Sequence, residues 1–155
     1  MFPSWWHGGY PDIEKLLKTL YAPHLSDVEF VPYLPKADTY EAQLQAGKAF
    51  VRFARTGGRV NWEQIRDEPR VQIAVISRSR EMSWEMVEFM RQTLWSGFRK
   101  GAIVPGTTHM MQMSEEVLGP QLIPENIAEP RLVPITVGLF TWKPGATNYR
   151  QAIGL

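Results

Sequence analysis

Residues 69–95 read PRVQIAVISRSREMSWEMVEFMRQTLW and change hydrophobic period once. Val71, Ile73 and Val75 alternate with Arg70, Gln72 and Ala74, the period of a strand with one buried face. Ile76 falls on the Gln72 and Ala74 side, so the far end of this strand is expected to be covered on both faces. Beyond Ser79 the spacing becomes three and four. Val87, Met90 and Leu94 form a stripe that Met86, Phe89 and Trp95 widen, which predicts an amphipathic helix. Ser77 or Ser79 suits its N-cap, and Glu81 and Glu85 suit the positive end of its dipole. Arg91 suits the negative end, and Gly97 a stop. A strand feeding a long helix makes one α/β layer on which the remaining elements must pack.

The chain has 155 residues, enough for one domain with a real core. A net charge of +1 gives no global pull toward nucleic acid or anionic lipid. There are no cysteines, which excludes disulfides, thiolate metal sites and a cysteine nucleophile. The opening MFPSWWHGG lacks a basic segment and a long apolar run, so it does not read as a secretory signal. No window approaches the length of a membrane span.

Elsewhere the segments are short. Residues 1–9 form an aromatic extension with Phe2, Trp5 and Trp6, and Tyr10 follows directly. These rings are expected to dock, either on the chain's own core or in a partner's groove. From Asp12, a natural N-cap, Ile13, Leu16, Leu17 and Leu20 share one helical face, and Pro23 marks the end. Residues 28–31 suit a short strand. Residues 35–47 read as a loop with one helical turn over 40–46. Residues 49–55 alternate as a strand, with Phe50, Arg52 and Ala54 opposite Val51, Phe53 and Arg55, and Gly57-Gly58 breaks it. Residues 61–68 then form a polar connection, a long hairpin loop projecting from the sheet if the two strands pair.

After the long helix, residues 99–108 read as a loop and 109–116 as a strand with Met111 and Met113 on one face. An irregular connection through Gly119, Pro120, 124–126 and Pro130 leads to a last strand over 131–142. Pro134 lacks an amide donor, which predicts an edge or a bulge there. Residues 143–155, with a break at 143–145, read as a mobile tail. The sum is an α+β or mixed α/β domain over residues 10–142. It has one mixed, mostly antiparallel sheet of about four to five strands, with two helices on one face. The other face is expected to be partly open and to carry Phe50, Arg52, Gln72, Met110 and Phe140, a surface suited to binding.

No constellation of catalytic residues stands out. His7, His24 and His109 lie in unrelated segments, and Glu115 and Glu116 would face opposite ways on a strand. Residues 55–59, RTGGR, would make an anion-binding nest, but they lack a lysine and a following helix start, so a turn with solvated arginines is the simpler reading. Arg52, Arg55, Arg59, Arg66, Arg70, Arg78 and Arg80 cluster mildly and are diluted by Glu63, Asp67 and Glu68. Phosphate contact, salt bridges between subunits and plain solubility all fit such a cluster.

Four patches, in order, resemble tail terminator proteins of long-tailed (siphovirus-type) actinobacterial bacteriophages. They are YPDIEKLL at 10–17, FVRFARTGG at 50–58, PRVQIAV at 69–75 running into SRE at 79–81 and the long helix, and VLGP at 117–120 before a strand. The likeness spans about residues 10–142, and no patch is a catalytic fingerprint. Residues 3–9 depart from the pattern as an aromatic insertion, and the tail after Trp142 is longer.

The resemblance implies a structural virion protein with no enzymatic activity and no cofactor. It implies a mixed sheet with helices against one side, and a homo-hexameric ring on the head-proximal end of the tail tube. Such a ring ends tube polymerisation, docks the neck or head–tail connector (stopper) protein, and lets genomic DNA pass through its lumen during ejection. It implies assembly in the host cytoplasm, a place in the virion tail, and no membrane partner. A closed ring needs one patch to meet a different patch, and a lumen that carries DNA should hold phosphate only weakly, which a near-neutral chain allows. Trp5, Trp6, Tyr10, Arg59, Trp62, Arg66, Trp142, Tyr149 and Arg150 are the candidate assembly contacts. Another connector or stopper protein is the nearest alternative. A nucleic-acid-binding or ligand-binding module using the open sheet face is the alternative of a different class, and an enzyme is more distant.

Overall fold

The computed structural model describes residues 1–120, 129–143 and 149–155. Asp12 caps helix α1 (Ile13–Tyr21), its Oδ1 accepting from the Glu14 and Lys15 amides at 3.1 and 3.4 Å. Pro23 lies in a single 3-10 turn, Ala22–His24, that ends the helix. Ile13, Leu16, Leu17 and Tyr21 are buried, and Leu20 packs at their margin. A second helix, α2 (Ala37–Gln45), follows strand β1 (Val28–Phe30). Strand β2 (Ala49–Asn61) and strand β3 (Arg66–Ile76) form a long hairpin, and helix α3 (Arg80–Phe98) leaves from β3. Strands β4 (Ala102–Ile103), β5 (Met110–Leu118) and β6 (Val133–Thr141) complete the sheet.

The sheet has six strands in the order β1-β2-β3-β6-β5-β4. β1 runs parallel to β2, and every other pairing is antiparallel. Val51, Phe53, Val71, Ile73, Val75, Met111, Met113 and the odd-numbered residues of β6 from Val133 to Leu139 join α1 and α3 in the main core. Thus α1 and α3 cover one face, as the periodicity demands. Ser79 caps α3 by accepting from the Met82 amide at 3.2 Å. Ser77 is instead buried, and its hydroxyl meets that of Ser83 at 2.9 Å.

Several expectations are corrected. Among the described residues the count is six strands and three α-helices, because α2 is a full helix and β4 a two-residue strand. In α2, Tyr40 and Leu44, four apart, are the two described residues that reach a core, so its periodic signal is weak. They pack with Phe50 and Ile76 on the sheet face opposite α1 and α3. Phe50 is therefore 1% exposed and is not part of an open face. The cover over Ile76 matches the two-sided burial its position implies.

Gly57-Gly58 does not end β2. The strand passes through a bulge between Arg55 and Gly57 and continues to Asn61. The expected long polar loop is a short turn over 62–65, where the Asn61 side chain accepts from the Glu63 and Gln64 amides at 3.1 Å. Phe89 and Trp95 do not widen the buried stripe of α3: they are 40% and 52% exposed. Gly97 lies inside the helix, which runs on to Phe98, and Gly101 (φ +79°) turns the chain with its amide bonded to the Phe98 carbonyl. Arg91 pairs with Glu88 and Glu116 instead of serving the helix end.

β6 is an interior strand, against the expectation from Pro134. Pro134 is level with Ala74 of β3, but β5 reaches only as far as Thr136 of β6, so the proline has a strand on one flank among the described residues. That is where a residue without an amide is tolerated. Residues 124–126 and 144–145 of the expected connection and break lie outside the described residues.

Candidate assembly interface

The β2–β3 hairpin is held by charge as well as by its ladder. Arg55 reaches across to Asp67, its two terminal nitrogens 2.6 and 2.8 Å from the two carboxylate oxygens. Asp67 is 2% exposed, so the pair is bidentate and largely dry on the acid's side. The same carboxylate lies near Tyr10, whose phenol pKa is raised by burial and then by the charge of Asp67. Gly58 (φ +95°) carries the chain past β3, and a Cβ there would sit 2.0 Å from the Glu68 carbonyl oxygen. Only glycine fits at that approach.

Three further arginines of the expected basic cluster, Arg52, Arg66 and Arg70, are also tied within the chain. Arg52 donates to Gln72. Arg66 bonds Glu68 at 2.8 Å and stacks 3.6 Å above the Phe140 ring. Arg70 lies 3.9 Å from Glu115. Phe140 meets Trp142 edge-on at 6.4 Å, so Trp142 and Arg66 belong to one aromatic–cationic layer. This layer borders a concave basin of about 750 Å³ on the face opposite α1 and α3, into which Arg59, Glu68, Arg70 and Glu115 also look. The open face thus carries Arg52, Gln72 and Phe140 as the alternation predicts, with Met110 43% exposed.

At the hairpin tip Trp62 is 78% exposed, with Ile65 beside it, and Arg59 is exposed on β2. The terminal aromatics meet each other. Tyr149 lies 5.7 Å from Trp5 and 5.5 Å from Trp6, and Phe2 stacks on Trp6 at 6.1 Å. Lys143 sits over both Tyr10 and Tyr149, 6.0 and 5.6 Å from their ring centres. The N-terminal rings therefore dock on the C-terminal segment, where sequence reasoning weighed the core against a partner. Tyr149–Leu155 forms a local turn closed by the Ile153 amide on the Tyr149 carbonyl at 3.1 Å. Arg150 is exposed at its start.

The nine candidate residues thus fall into three groups. Trp5, Trp6, Tyr10 and Tyr149 form the terminal cluster, with Arg150 adjacent. Arg66 lines the basin, and Trp142 packs edge-on against Phe140 of its lining. Arg59 and Trp62 occupy the hairpin's outer strand and tip. Sequence reasoning missed exposed rings on α3: Trp84 and Trp95, eleven residues apart, lie on one helical stripe with Glu88 and Arg91 between them. Trp84 and Trp95 fell near the edge of the apolar period, which was the signal available.

Among the described residues no three histidine or acidic side chains gather as metal ligands, and no helix is long and apolar enough to cross a membrane. What the surface offers is exposed aromatic rings and strand edges around a mixed sheet, the anatomy of a protein that contacts other proteins. A family model described as phage tail termination protein matches residues 9–148. The chain belongs to that family, a family of structural proteins of the phage tail. No curated protein matches it.

Proposed function

We propose that this chain is the tail terminator of a long-tailed, siphovirus-type actinobacterial phage, acting as a homo-hexameric ring on the head-proximal end of the tail tube. The observation that carries this reading is the family match across residues 9–148. The ring caps the tube, ends its polymerisation, and presents its other surface to the neck or stopper protein, with genomic DNA passing through the lumen. It is assembled in the host cytoplasm and kept in the virion tail. The domain over residues 10–142 forms the body of each subunit, and residues 1–9 and 143–155 serve as contact segments. Exposed Trp62 at the hairpin tip and the Trp5–Trp6–Tyr149 cluster support this assignment, because aromatic rings partly in water are characteristic of contact surfaces.

The basic cluster gives the nucleic-acid alternative little to use. Arg52, Arg55, Arg66 and Arg70 all have partners within the chain, which leaves fewer charges for phosphate. Native mass measurement of the protein, alone and mixed with tail tubes, tests the reading together with DNA binding across a salt series. The terminator forms a ring, alone or on the tube, and binds DNA weakly. A monomer that ignores tubes and binds DNA with a steep salt slope would favour the binding module instead.

A further inference from the structure

The sheet ends in two short strands, β1 and β4, each of which covers only part of the long strand beside it. β1 pairs with β2 at Ala49, Phe50 and Val51 and no further, so the outer edge of β2 from Arg52 to Asn61 has no strand beside it among the described residues. There the Glu14 carboxylate holds the Arg55 amide at 2.8 Å, and the stretch beyond the bulge lacks even that. At the other end β4 pairs with Met110 and Met111 of β5, and among the described residues no strand lies beside the outer edge of β5 from Gln112 to Leu118. Long bare edges are templates for strand addition, and proteins that stay monomeric usually blunt them.

The two bare stretches lie at the same height in the sheet. One row of paired residues runs Gly57, Arg70, Gly138, Glu115, and the row below it runs Arg55, Val71, Val137, Glu116. Counting across antiparallel neighbours from β2 to β5, the two strands point in opposite directions. A second copy turned about an axis along the strands therefore brings its β2 antiparallel to β5, with the bare stretches abreast. Charge agrees with this placement. Between Arg52 and Asn61, β2 carries Arg52, Arg55 and Arg59 and no acid, whereas β5 carries Glu115 and Glu116 and no base. Arg59 and Glu115 look into the same basin, hence lie on the same sheet face, and both are exposed. Arg59 stands two residues along from Gly57, so it is the diagonal neighbour of Glu115 across such a seam, within reach of an arginine.

We infer that the bare edge of β2 in one copy pairs antiparallel with the bare edge of β5 in the next, joining the sheets of neighbouring copies through a seam in which Arg59 meets Glu115. The occupant of each edge is a second copy of this chain. The contact is one patch against a different patch, which is the kind that closes into a ring. This rests on the ring reading above and adds which surfaces make the ring.

The test uses Arg59→Glu and Glu115→Arg in the full chain, each with tail tubes, alone and mixed in equal amounts, with circular dichroism to check folding. Each variant alone places like charges at every seam, so its ring fraction falls about tenfold or more relative to the unaltered chain. In the mixture an alternating ring has an opposite-charge pair at every seam, and assembly returns. Full assembly of either variant alone, or no recovery on mixing two folded variants, overturns the seam. Because the chain has no cysteine, a second route is open. The Arg59→Cys, Glu115→Cys double variant treated with a short bismaleimide should give a covalent ladder that neither single variant gives, and its absence from assembled rings overturns the seam without touching the ring reading. Absence of rings from the unaltered chain, with or without tubes, overturns both.

Discussion

Arg55 grips Asp67 across the β2–β3 hairpin with two hydrogen bonds, 2.6 and 2.8 Å long, and the acid is almost wholly enclosed. An arginine that composition offers to phosphate or solvent is here a fastener between two strands, next to the bulge that lets β2 continue. Its removal leaves a buried carboxylate without its counter-charge. Arg55→Ala should cost about 2–3 kcal/mol, below the full value for a buried pair because the arginine itself is partly solvated. Urea unfolding measures it, and adding Asp67→Ala should return part of the loss.

Adjacent glycines make an internal comparison. Gly58→Ala places a Cβ against the Glu68 carbonyl at a positive φ and should destabilise by more than about 1 kcal/mol. Gly57→Ala meets nothing within 4 Å and should change stability by less than about 0.5 kcal/mol. Thermal melts of the two variants separate a strand that needs one glycine from a loop that tolerates any residue at both positions.

Trp62 carries its ring in water at the hairpin tip. Trp62→Ala should leave stability within about 0.5 kcal/mol of the unaltered chain while weakening assembly or tube binding. Denaturant unfolding and sedimentation with tubes give the two readouts. Unchanged assembly would remove the tip from the contact surface.

Acid should loosen the end of the molecule near α2. Arg131 bonds both oxygens of Glu129 at 2.7 Å and reaches Glu41 at 2.8 Å. Its guanidinium holds both carboxyls below their usual pKa of 4.5. In the unfolded chain these groups bind protons more readily, so the stability they supply is in full above pH 4.5 and is lost as the pH falls through the lower folded values. Acid unfolding of Glu129→Gln should show a flatter dependence in this range.

The sequence was most legible where one face is buried and the other is not. The alternation of β3, the caps at Asp12 and Ser79, and the buried Val87–Met90–Leu94 stripe follow from local rules and are all present. Legibility failed where tertiary contact overrode local signal. Among the described residues of α2 two, Tyr40 and Leu44, join a core, so its period is faint, yet those two cover Phe50 and Ile76. The Gly57-Gly58 pair reads as a break, whereas cross-strand pairing with Arg70 and Pro69 carries the strand through it. Phe89 and Trp95 each sit one residue, about 100° of helix rotation, away from Met90 and Leu94, so these apolar rings face largely toward solvent, and hydrophobicity alone does not distinguish a core from a contact surface. Of the candidate contacts, Trp62 is exposed at the tip of a hairpin that the sequence suggested only as a loop, whereas the meeting of Trp5 and Trp6 with Tyr149 joins distant segments and leaves no sequence pattern.

A tail terminator closes one end of a tail tube. The most direct measurement is electron microscopy of preassembled tubes incubated with the protein and then supplied with fresh tube subunits. Extra density at a single end, with no further growth there, is the expected result. Bare ends, or tubes that elongate as fast as those left untreated, would contradict it.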